Sequence, residues 1–361
     1  MRPKKVAEST SPTDPELLNA FLPRQFPDFK EQLNGHIERE HWDDVLLRIM
    51  DENREAVLKE HVHFRTFMTS KVVQLVFTIC VRLELPHEVR YLAVAIFDDF
   101  MTVQSTQLHA DIFGDEDPEG MKLQRWENAS VRFYAQTLLR LVSSISIAIK
   151  FSYYRLGLPL SYLQRILLAL NNMYSEESIY KSDIRVFAAV MHKIKPNRNP
   201  VGIMETFLSI IIHRFPSMRV QYDPEILWEY GILFMDFVFF KCKGILPSLM
   251  VRNSSRSKHK ELFIDKVTER TWHLESDYVV LGLGCLAVAA WAIYGESGML
   301  EIQKNLSTIT RVAEPEISLF AITMRALILE DEADFSILEP PNDLLGMKHM
   351  NVPNSVNTFS D

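Results

Sequence analysis

The strongest constraint on the fold is an uncharged stretch near the C-terminal end, residues 278–295, which reads YVVLGLGCLAVAAWAIYG. Small and large apolar side chains fall on most faces of a helix there, so that helix must be surrounded by protein or by lipid. A membrane-spanning helix needs about 20 apolar residues, whereas Asp277 and Glu296 bracket only 18. The stretch is therefore predicted to be a central helix buried in a soluble core, with a membrane span as the less favoured interpretation.

The same stretch contains the pattern Gly-x-Gly-x-x-Ala, which binds dinucleotides only when a strand precedes the glycines and a helix opens at them. Here the pattern falls within one helical segment, so we expect no cofactor. The sequence also contains no phosphate-binding loop, nucleophile elbow or HExxH motif. His61 and His63 have no third ligand at metal spacing, and a zinc site needs three or four. These features favour a non-enzymatic protein without a metal or a small-molecule substrate.

The composition narrows the class of partner. With 361 residues, of which 47% are hydrophobic, the chain has ample material for a large core. A net charge of −8 gives no overall attraction to nucleic-acid phosphates, so direct DNA binding is disfavoured. Three widely separated cysteines cannot form a disulfide framework, which fits a reducing compartment. The basic N-terminus has no apolar stretch behind it, so neither a secretory signal nor a membrane association is expected.

Apolar residues at helical spacing recur along the chain between Pro, Gly and polar breaks, without strand-like alternation. The helical segments fall into two groups of five. The predicted organisation is a mostly disordered arm (1–37), an N-terminal amphipathic helix (38–64), a first five-helix unit (65–195, with a polar insertion at 103–129), a second such unit (196–335, with a polar insertion at 243–276) and a disordered tail (336–361). The predicted helices of the two units run over 65–85, 87–101, 130–154, 159–173 and 175–193, and then over 201–215, 224–241, 277–294, 299–312 and 316–330.

The two groups look like copies of one unit. Their third helices align without gaps, 141–154 (LVSSISIAIKFSYY) against 281–294 (LGLGCLAVAAWAIY), and both mix small with large apolar residues. The predicted fold class is therefore all-α, with two tandem five-helix repeats after an N-terminal helix. A duplicated five-helix unit with a buried third helix resembles the cyclin fold.

Three segments carry this resemblance further. Residues 75–101 contain LAVAIFDDFM, which is similar to the cyclin-box pattern L-A-V-x-x-x-D-R-F-L, with Asp98 at the acidic position and Asp99 where arginine is expected. The third helix of the first group resembles the cyclin L-x-A-S-K-F-E-E helix and places Lys150 at its lysine. The segment YKSDIRVFAAV resembles the fifth cyclin helix and places Asp183 at its glutamate.

The resemblance implies a binding role. Cyclins have no catalytic chemistry of their own; they pack their third and fifth helices against a cyclin-dependent kinase and hold the kinase C-helix in its active position. The kinase-binding residues implied by position are Lys150, Asp183, Phe151 and Phe187. A charge at an interface rim sets register and specificity more than affinity. Aspartate in place of glutamate shortens the reach of Asp183 by one methylene.

A second cyclin feature is predicted to be lost. Many cyclins present an apolar groove for substrate docking peptides at the start of the first helix, with the pattern M-R-A-I-L-x-x-W. Aligned without gaps, Lys71 stands where isoleucine is expected, and Thr69 replaces the arginine that would pair with Asp98. We hypothesise that Arg65 is the alternative partner of Asp98. The degenerate docking groove comprises Met68, Lys71, Val72 and Leu75.

The likeness covers roughly residues 40–330 and is closest to a divergent meiotic branch of the cyclins that is associated with crossover sites. It implies a nuclear protein on meiotic chromosomes at recombination sites, which promotes crossover maturation or designation. The implied partners are a cyclin-dependent kinase and crossover proteins. Ser11, followed by Pro12, fits the minimal site of a proline-directed kinase. The alternative is a scaffold with a cyclin fold that recruits recombination factors without a kinase.

Overall fold

The fold is helical throughout the part of the chain that the computed structural model describes, which is residues 27, 29, 39–59, 67–114, 118–153, 157–191, 199–241 and 277–330. These residues form twelve α-helices, one 3₁₀ turn (Arg39–His41) and no β-strand, so the all-α prediction is confirmed. The helices are α1 (Trp42–Lys59), α2 (Ser70–Arg82), α3 (His87–Phe113), α4 (Glu119–Ala135), α5 (Thr137–Ser152), α6 (Leu160–Ala169), α7 (Glu176–Val190), α8 (Pro200–Arg214), α9 (Pro216–Gln221), α10 (Pro224–Lys241), α11 (Tyr278–Thr310) and α12 (Glu314–Glu330).

Local signals explain where several helices begin. The Thr69 hydroxyl accepts a hydrogen bond from the Val72 backbone N–H at 3.3 Å and caps α2. In the same way the Ser175 hydroxyl accepts from the Ser178 backbone N–H at 3.2 Å and caps α7. Pro86 separates α2 from α3, because proline favours an extended residue before it and fits the start of a helix.

Two helices form the centres of the two halves of the molecule. α5 is buried without interruption from Leu139 to Ile149 and packs against α3, α6 and α7. α11 is buried from Tyr278 to Ala290 at every position except Val280, and it packs against α8, α10 and α12. Within the described residues, α11 alone has the length and hydropathy of a membrane-crossing helix. Its apolar faces are nevertheless covered by protein, so it occupies the buried central position that the sequence predicts.

The burial pattern of the first half (α2 to α7) recurs in the second half (α8 to α12). Beyond a kink at Gly295, where φ is +75°, the second part of α11 takes the place of a fourth helix. When α7 is aligned with α12 without gaps, each buried residue of α7 lies opposite a buried residue of α12. The agreement is compatible with two tandem cyclin repeats. The matching pairs are Ile179 and Ile317, Ser182 and Phe320, Asp183 and Ala321, Val186 and Met324, and Val190 and Ile328.

The first polar insertion is helical over residues 103–113 and 119–129, which corrects the prediction of a long polar segment between two helices. A helix was expected to end at residue 101, but α3 continues to Phe113, and α4 then folds back along it. His109 stacks on Phe113 with 4.4 Å between ring centroids and packs edge-on against Trp126 at 5.5 Å. These few aromatic contacts form a stripe that is too narrow to be recognised among polar residues in the sequence. The predicted arm, second insertion and tail lie mostly or wholly outside the described residues.

A buried ion pair joins the two halves. Arg90 of α3 donates from Nη2 to Asp236 Oδ2 of α10 at 2.7 Å, and both side chains are almost fully buried. The Tyr91 hydroxyl also hydrogen-bonds Asp236, and the Arg90 guanidinium lies 5.0 Å from the centroid of Phe77. Burial raises the pKa of Asp236 to about 6, although Arg90 opposes the shift. Removing one partner of such a pair costs about 3–5 kcal/mol, because the other charge is then left buried without a partner.

A candidate docking surface on α5 and α7

A polar seam joins α5 to α7 inside the first half. Arg140 Nη1 donates to Ser182 Oγ at 2.7 Å, and Ser143 Oγ donates to the same oxygen at 2.7 Å. All three side chains are buried. Arg140 Nη2 also donates to Gln136 Oε1 at 2.6 Å, so side-chain oxygens replace water around the guanidinium. Burial lowers the pKa of Arg140 to about 10, which leaves the group protonated at neutral pH.

The seam continues to Asp183 and Lys150 at the surface. Ser146 Oγ donates to Asp183 Oδ2 at 2.8 Å, and Lys150 Nζ donates to the same oxygen at 2.9 Å. The Asp183 side chain is only 8% exposed, whereas that of Lys150 is 47% exposed. Asp183 Oδ1 is buried and has no hydrogen-bond partner among the described residues. The carboxylate therefore holds the lysine, and the ammonium is the group that this surface presents to solvent.

An apolar stripe runs along α7 beside this ion pair. Tyr180, Ile184, Phe187 and Met191 recur at i, i+4, i+7 and i+11, so they share one face of the helix. Each of the four is more than two-fifths exposed. Phe151, at the end of α5, lies against this α7 stripe, with 6.0 Å between its ring centroid and that of Phe187. Exposed apolar side chains grouped in this way are typical of surfaces that bind protein partners.

The composition of the surface suits protein binding. Exposed aromatic and aliphatic side chains supply area that is removed from water when a partner binds, and aromatic residues and methionine are enriched at such interfaces. The Lys150 ammonium supplies hydrogen-bond donors for a carbonyl or carboxylate oxygen of the partner, which fixes orientation. Within the described residues, no three His, Cys, Asp or Glu side chains are grouped as metal ligands.

The structure brings the four implied kinase-binding residues together. Lys150 is paired with Asp183, and Phe151 lies against Phe187, all on adjacent parts of α5 and α7. Sequence reasoning did not single out the rest of the α7 stripe or Ser146. The stripe had a signal, because its apolar residues recur with helical spacing out of phase with the buried positions of the same helix. Ser146 had none, since a serine within an apolar run gives no indication of its partner. The missed stripe residues are Tyr180, Ile184 and Met191.

The predicted docking groove on α2 has little apolar surface to offer. Its two largest apolar side chains, those of Met68 and Leu75, are buried in the core. Val72 is half-buried, and Lys71 is exposed. A peptide that approached this face would therefore meet a cation where cyclins of the usual pattern present an apolar side chain. The groove's loss of function stays a prediction.

Asp98 is held by the backbone at the start of the first half. It is buried, and its Oδ1 accepts a hydrogen bond from the Phe67 backbone N–H at 2.7 Å. Arg65, the hypothesised partner of Asp98, lies outside the described residues, as does Ser11, the predicted phosphorylation site. Thr69, which stands where cyclins carry the arginine, serves as the α2 cap.

The helix order and the exposed face on the third and fifth helices are compatible with the class that the sequence resembles, that of the cyclins. Cyclin N-terminal domain-containing protein 1 of Homo sapiens is 23% identical to the chain over 290 residues, which is 80% of this chain and 84% of that protein. The Mus musculus protein of the same name is 22% identical over 291 residues, which is 80% of this chain and 83% of that protein. No protein-family model matches the chain. The similarity to these two proteins, over four-fifths of the chain, confirms the resemblance predicted from the sequence.

Proposed function

We propose that this chain is a non-enzymatic regulatory subunit that binds a cyclin-dependent kinase through the α5–α7 surface. The observation that supports this proposal is the position of the exposed α7 stripe. It lies directly beside the Lys150–Asp183 pair, where the cyclin resemblance implies the kinase contacts. A surface that is apolar in its middle and charged at its edge has the composition of a specific protein interface.

The two charged residues take different roles in this proposal. Lys150 makes the direct contact, because its ammonium is exposed and an oxygen of the kinase backbone or of a carboxylate can reach it. Asp183 is a positioning residue, because its carboxylate is buried and is already bonded to Ser146 and Lys150. Holding the lysine in one rotamer before binding reduces the entropy that is lost when the complex forms.

We further propose that the protein acts in the nucleus, on meiotic chromosomes at recombination sites, and promotes the maturation of selected intermediates into crossovers. The support is the resemblance to the meiotic branch of the cyclins together with similarity to the human and mouse proteins over four-fifths of the chain. In this setting the kinase is one partner, and crossover proteins are the others.

Kinase binding is tested by co-elution of the full chain with purified cyclin-dependent kinases on a sizing column. Ile184→Glu places a charge in the α7 stripe and is expected to weaken binding at least about tenfold. Ile322→Glu is the matched control, because Ile322 lies at the equivalent position of α12 and is 49% exposed, against 50% for Ile184. Lys150→Glu and Asp183→Lys are expected to weaken binding as well. Failure of every kinase tested to co-elute would favour the kinase-independent scaffold.

The meiotic role is tested separately by depletion of the protein from the germ line. The expected result is a reduced number of crossovers, with recombination still initiated at normal levels. A normal crossover number after complete depletion would contradict the role, whatever the kinase experiment shows.

A further inference from the structure

α4 is covered less by the rest of the protein than the neighbouring helices are. None of its residues is buried, and it packs against α3 and α5 along one side. Two aromatic residues mark that inner side. Trp126 contacts the His109 ring of α3, and Phe133 packs edge-on against Phe67 with 5.9 Å between ring centroids. The remaining faces of α4 lie in solvent, and their composition shows what they are suited to bind.

One of these outer faces carries a second apolar stripe. Leu123, Val131 and Tyr134 are each more than half exposed. Together with Glu127 they recur at i, i+4, i+8 and i+11, which at 100° per residue confines them to an arc of about 80°. This α4 stripe (Leu123, Glu127, Val131 and Tyr134) is about 16 Å long. It is therefore long enough to lie along three turns of another helix.

Glu127 is the one charge in the α4 stripe, and its carboxylate has no ion-pair partner among the described residues. The Ser130 hydroxyl donates to the backbone carbonyl of Glu127 and leaves the carboxylate unengaged. The three basic residues of the helix, Lys122, Arg125 and Arg132, lie on other sides of it. A partner that covers the stripe must therefore supply a cation, because an unpaired carboxylate is costly to remove from water.

We propose that the α4 stripe docks an amphipathic helix of another protein, which carries a lysine or arginine among its apolar residues. A second copy of this chain fits poorly, because Glu127 lies near the middle of the stripe. Any symmetric pairing of two α4 stripes brings the two Glu127 carboxylates towards each other, and like charges at an interface disfavour association. The site is separate from the α5–α7 surface, and this proposal does not rest on kinase binding.

The probe for this site is a designed amphipathic helical peptide with leucine at its apolar positions and one central lysine. Its binding to the full chain is measured by fluorescence anisotropy, next to a matched peptide with glutamate in place of the lysine. The lysine peptide is expected to bind at least about tenfold more tightly. Glu127→Lys is expected to reverse this preference, because the charge of the site is then reversed. Equal affinities of the two peptides, or an unchanged preference in Glu127→Lys, would overturn the proposal.

Two further variants locate the binding site. Val131→Glu is expected to weaken binding of the lysine peptide about tenfold or more. Met121→Glu is the matched control, because Met121 is also more than half exposed but lies on another face of α4, and it is expected to leave the affinity unchanged. Ile184→Glu, on the α7 stripe, is expected to have no effect either. A loss of affinity in Met121→Glu or Ile184→Glu equal to that in Val131→Glu would contradict the assignment. A dimer that Val131→Glu dissociates in analytical ultracentrifugation would identify a second copy as the occupant and overturn the choice of partner.

Discussion

The two halves of the molecule join their third and fifth helices in opposite ways. In the first half the contact between α5 and α7 is a hydrogen-bonded polar seam, and in the second half the contact between α11 and α12 is apolar. At equivalent positions, Arg140, Ser143, Ser146, Lys150, Ser182 and Asp183 are replaced by Val280, Leu283, Leu286, Ala290, Phe320 and Ala321. An apolar contact stabilises without having to satisfy polar groups, whereas a polar seam carries a desolvation cost. The contact between α5 and α7 is therefore expected to be less stable than the contact between α11 and α12. It ends at the exposed ammonium of Lys150, which Asp183 holds in place.

The exposed residues beside the two helix contacts also differ. In the first half Phe151 lies against Phe187, and the α7 stripe next to them is open. In the second half the equivalent pair is Trp291 and Arg325, with the guanidinium 4.6 Å from the ring centroid. Arg325 also bonds to Glu296 at 2.8 Å, so its charge is neutralised within the same half. Both cations are therefore paired within their own half, but Asp183, the partner of Lys150, is only 8% exposed, whereas Glu296, the partner of Arg325, is 58% exposed. The first half thus presents mainly a cation to solvent, and the second half presents both charges.

The largest expected effect comes from the apolar contact of the second half. A Cβ added to Gly284 would lie 2.0 Å from Cδ1 of the buried Phe320 ring, so Gly284→Ala is expected to destabilise the protein by about 3 kcal/mol. The equivalent change in the first half, Ser144→Ala, removes one hydrogen bond to the Arg140 carbonyl and is expected to cost about 1 kcal/mol. Urea unfolding measures both.

A second variant shows whether the contact with Phe320 is the cause. Phe320→Ser reproduces the residue at the equivalent position of α7, and in that background Gly284→Ala is expected to cost far less than in the wild type. If Gly284→Ala lowers the stability equally in the wild type and in Phe320→Ser, the contact with the Phe320 ring is not the cause of the loss.

The next effect concerns the Lys150–Asp183 pair. Lys150→Ala leaves a buried carboxylate with Ser146 as its remaining donor and is expected to cost about 1–3 kcal/mol. Lys150→Ala combined with Asp183→Ala recreates the alanine pair of the second half and is expected to cost less than the sum of the single changes. Because Lys150 is half exposed, the coupling energy is expected to be about 1 kcal/mol. A double-mutant cycle in urea measures it, and additive costs would contradict the pairing.

Sequence reasoning identified some parts of this comparison and not others, for physical reasons. The burial of α11 follows from residues that are apolar on every face, and the Lys150–Asp183 position follows from a resemblance in the spacing of a few residues. α4 was missed because its packed face carries only about one aromatic residue every two turns, Trp126 and Phe133. The difference between the two helix contacts was also missed, since Ser143 and Ser146 become partners of Ser182 and Asp183 only through the crossing of two helices distant in sequence.

A smaller, pH-dependent effect is expected where the two halves meet. When the buried residues Val73, Val76 and Phe77 of α2 are matched with Met204, Phe207 and Leu208 of α8, Glu205 falls at the position of Gln74. Burial, and then the charge of Glu88, raise the pKa of Glu205 from 4.5 to about 7. Because the folded state favours the protonated form, this group's contribution to stability is complete below about pH 4.5 and is lost as the pH rises through 7.

Glu205→Gln gives α8 the residue that α2 has at Gln74. The change removes the free-energy cost of ionising the Glu205 carboxyl in the folded protein. The variant is expected to match the wild type at pH 4 and to be more stable at pH 8 by about 1 kcal/mol, after allowance for screening of a partly exposed group. Thermal unfolding at the two pH values measures the difference. A variant that is equally stable or less stable than the wild type at pH 8 would show that the carboxylate is well solvated.

The smallest effect on stability is expected from an exchange on the surface itself. Phe187→Arg places in α7 the arginine that α12 has at the equivalent position, Arg325. The new guanidinium is able to stack on Phe151. The side chain is exposed, so the free energy of unfolding is expected to change by less than about 0.5 kcal/mol. Kinase binding is expected to fall at least about tenfold, because the new cation interrupts the α7 stripe and lies close to Lys150. The reverse change, Arg325→Phe, is expected to create no second kinase site, because Ala290 supplies no cation beside it. Titration calorimetry with the co-eluting kinase measures both, and an unchanged affinity in Phe187→Arg would place the kinase contact elsewhere on the molecule.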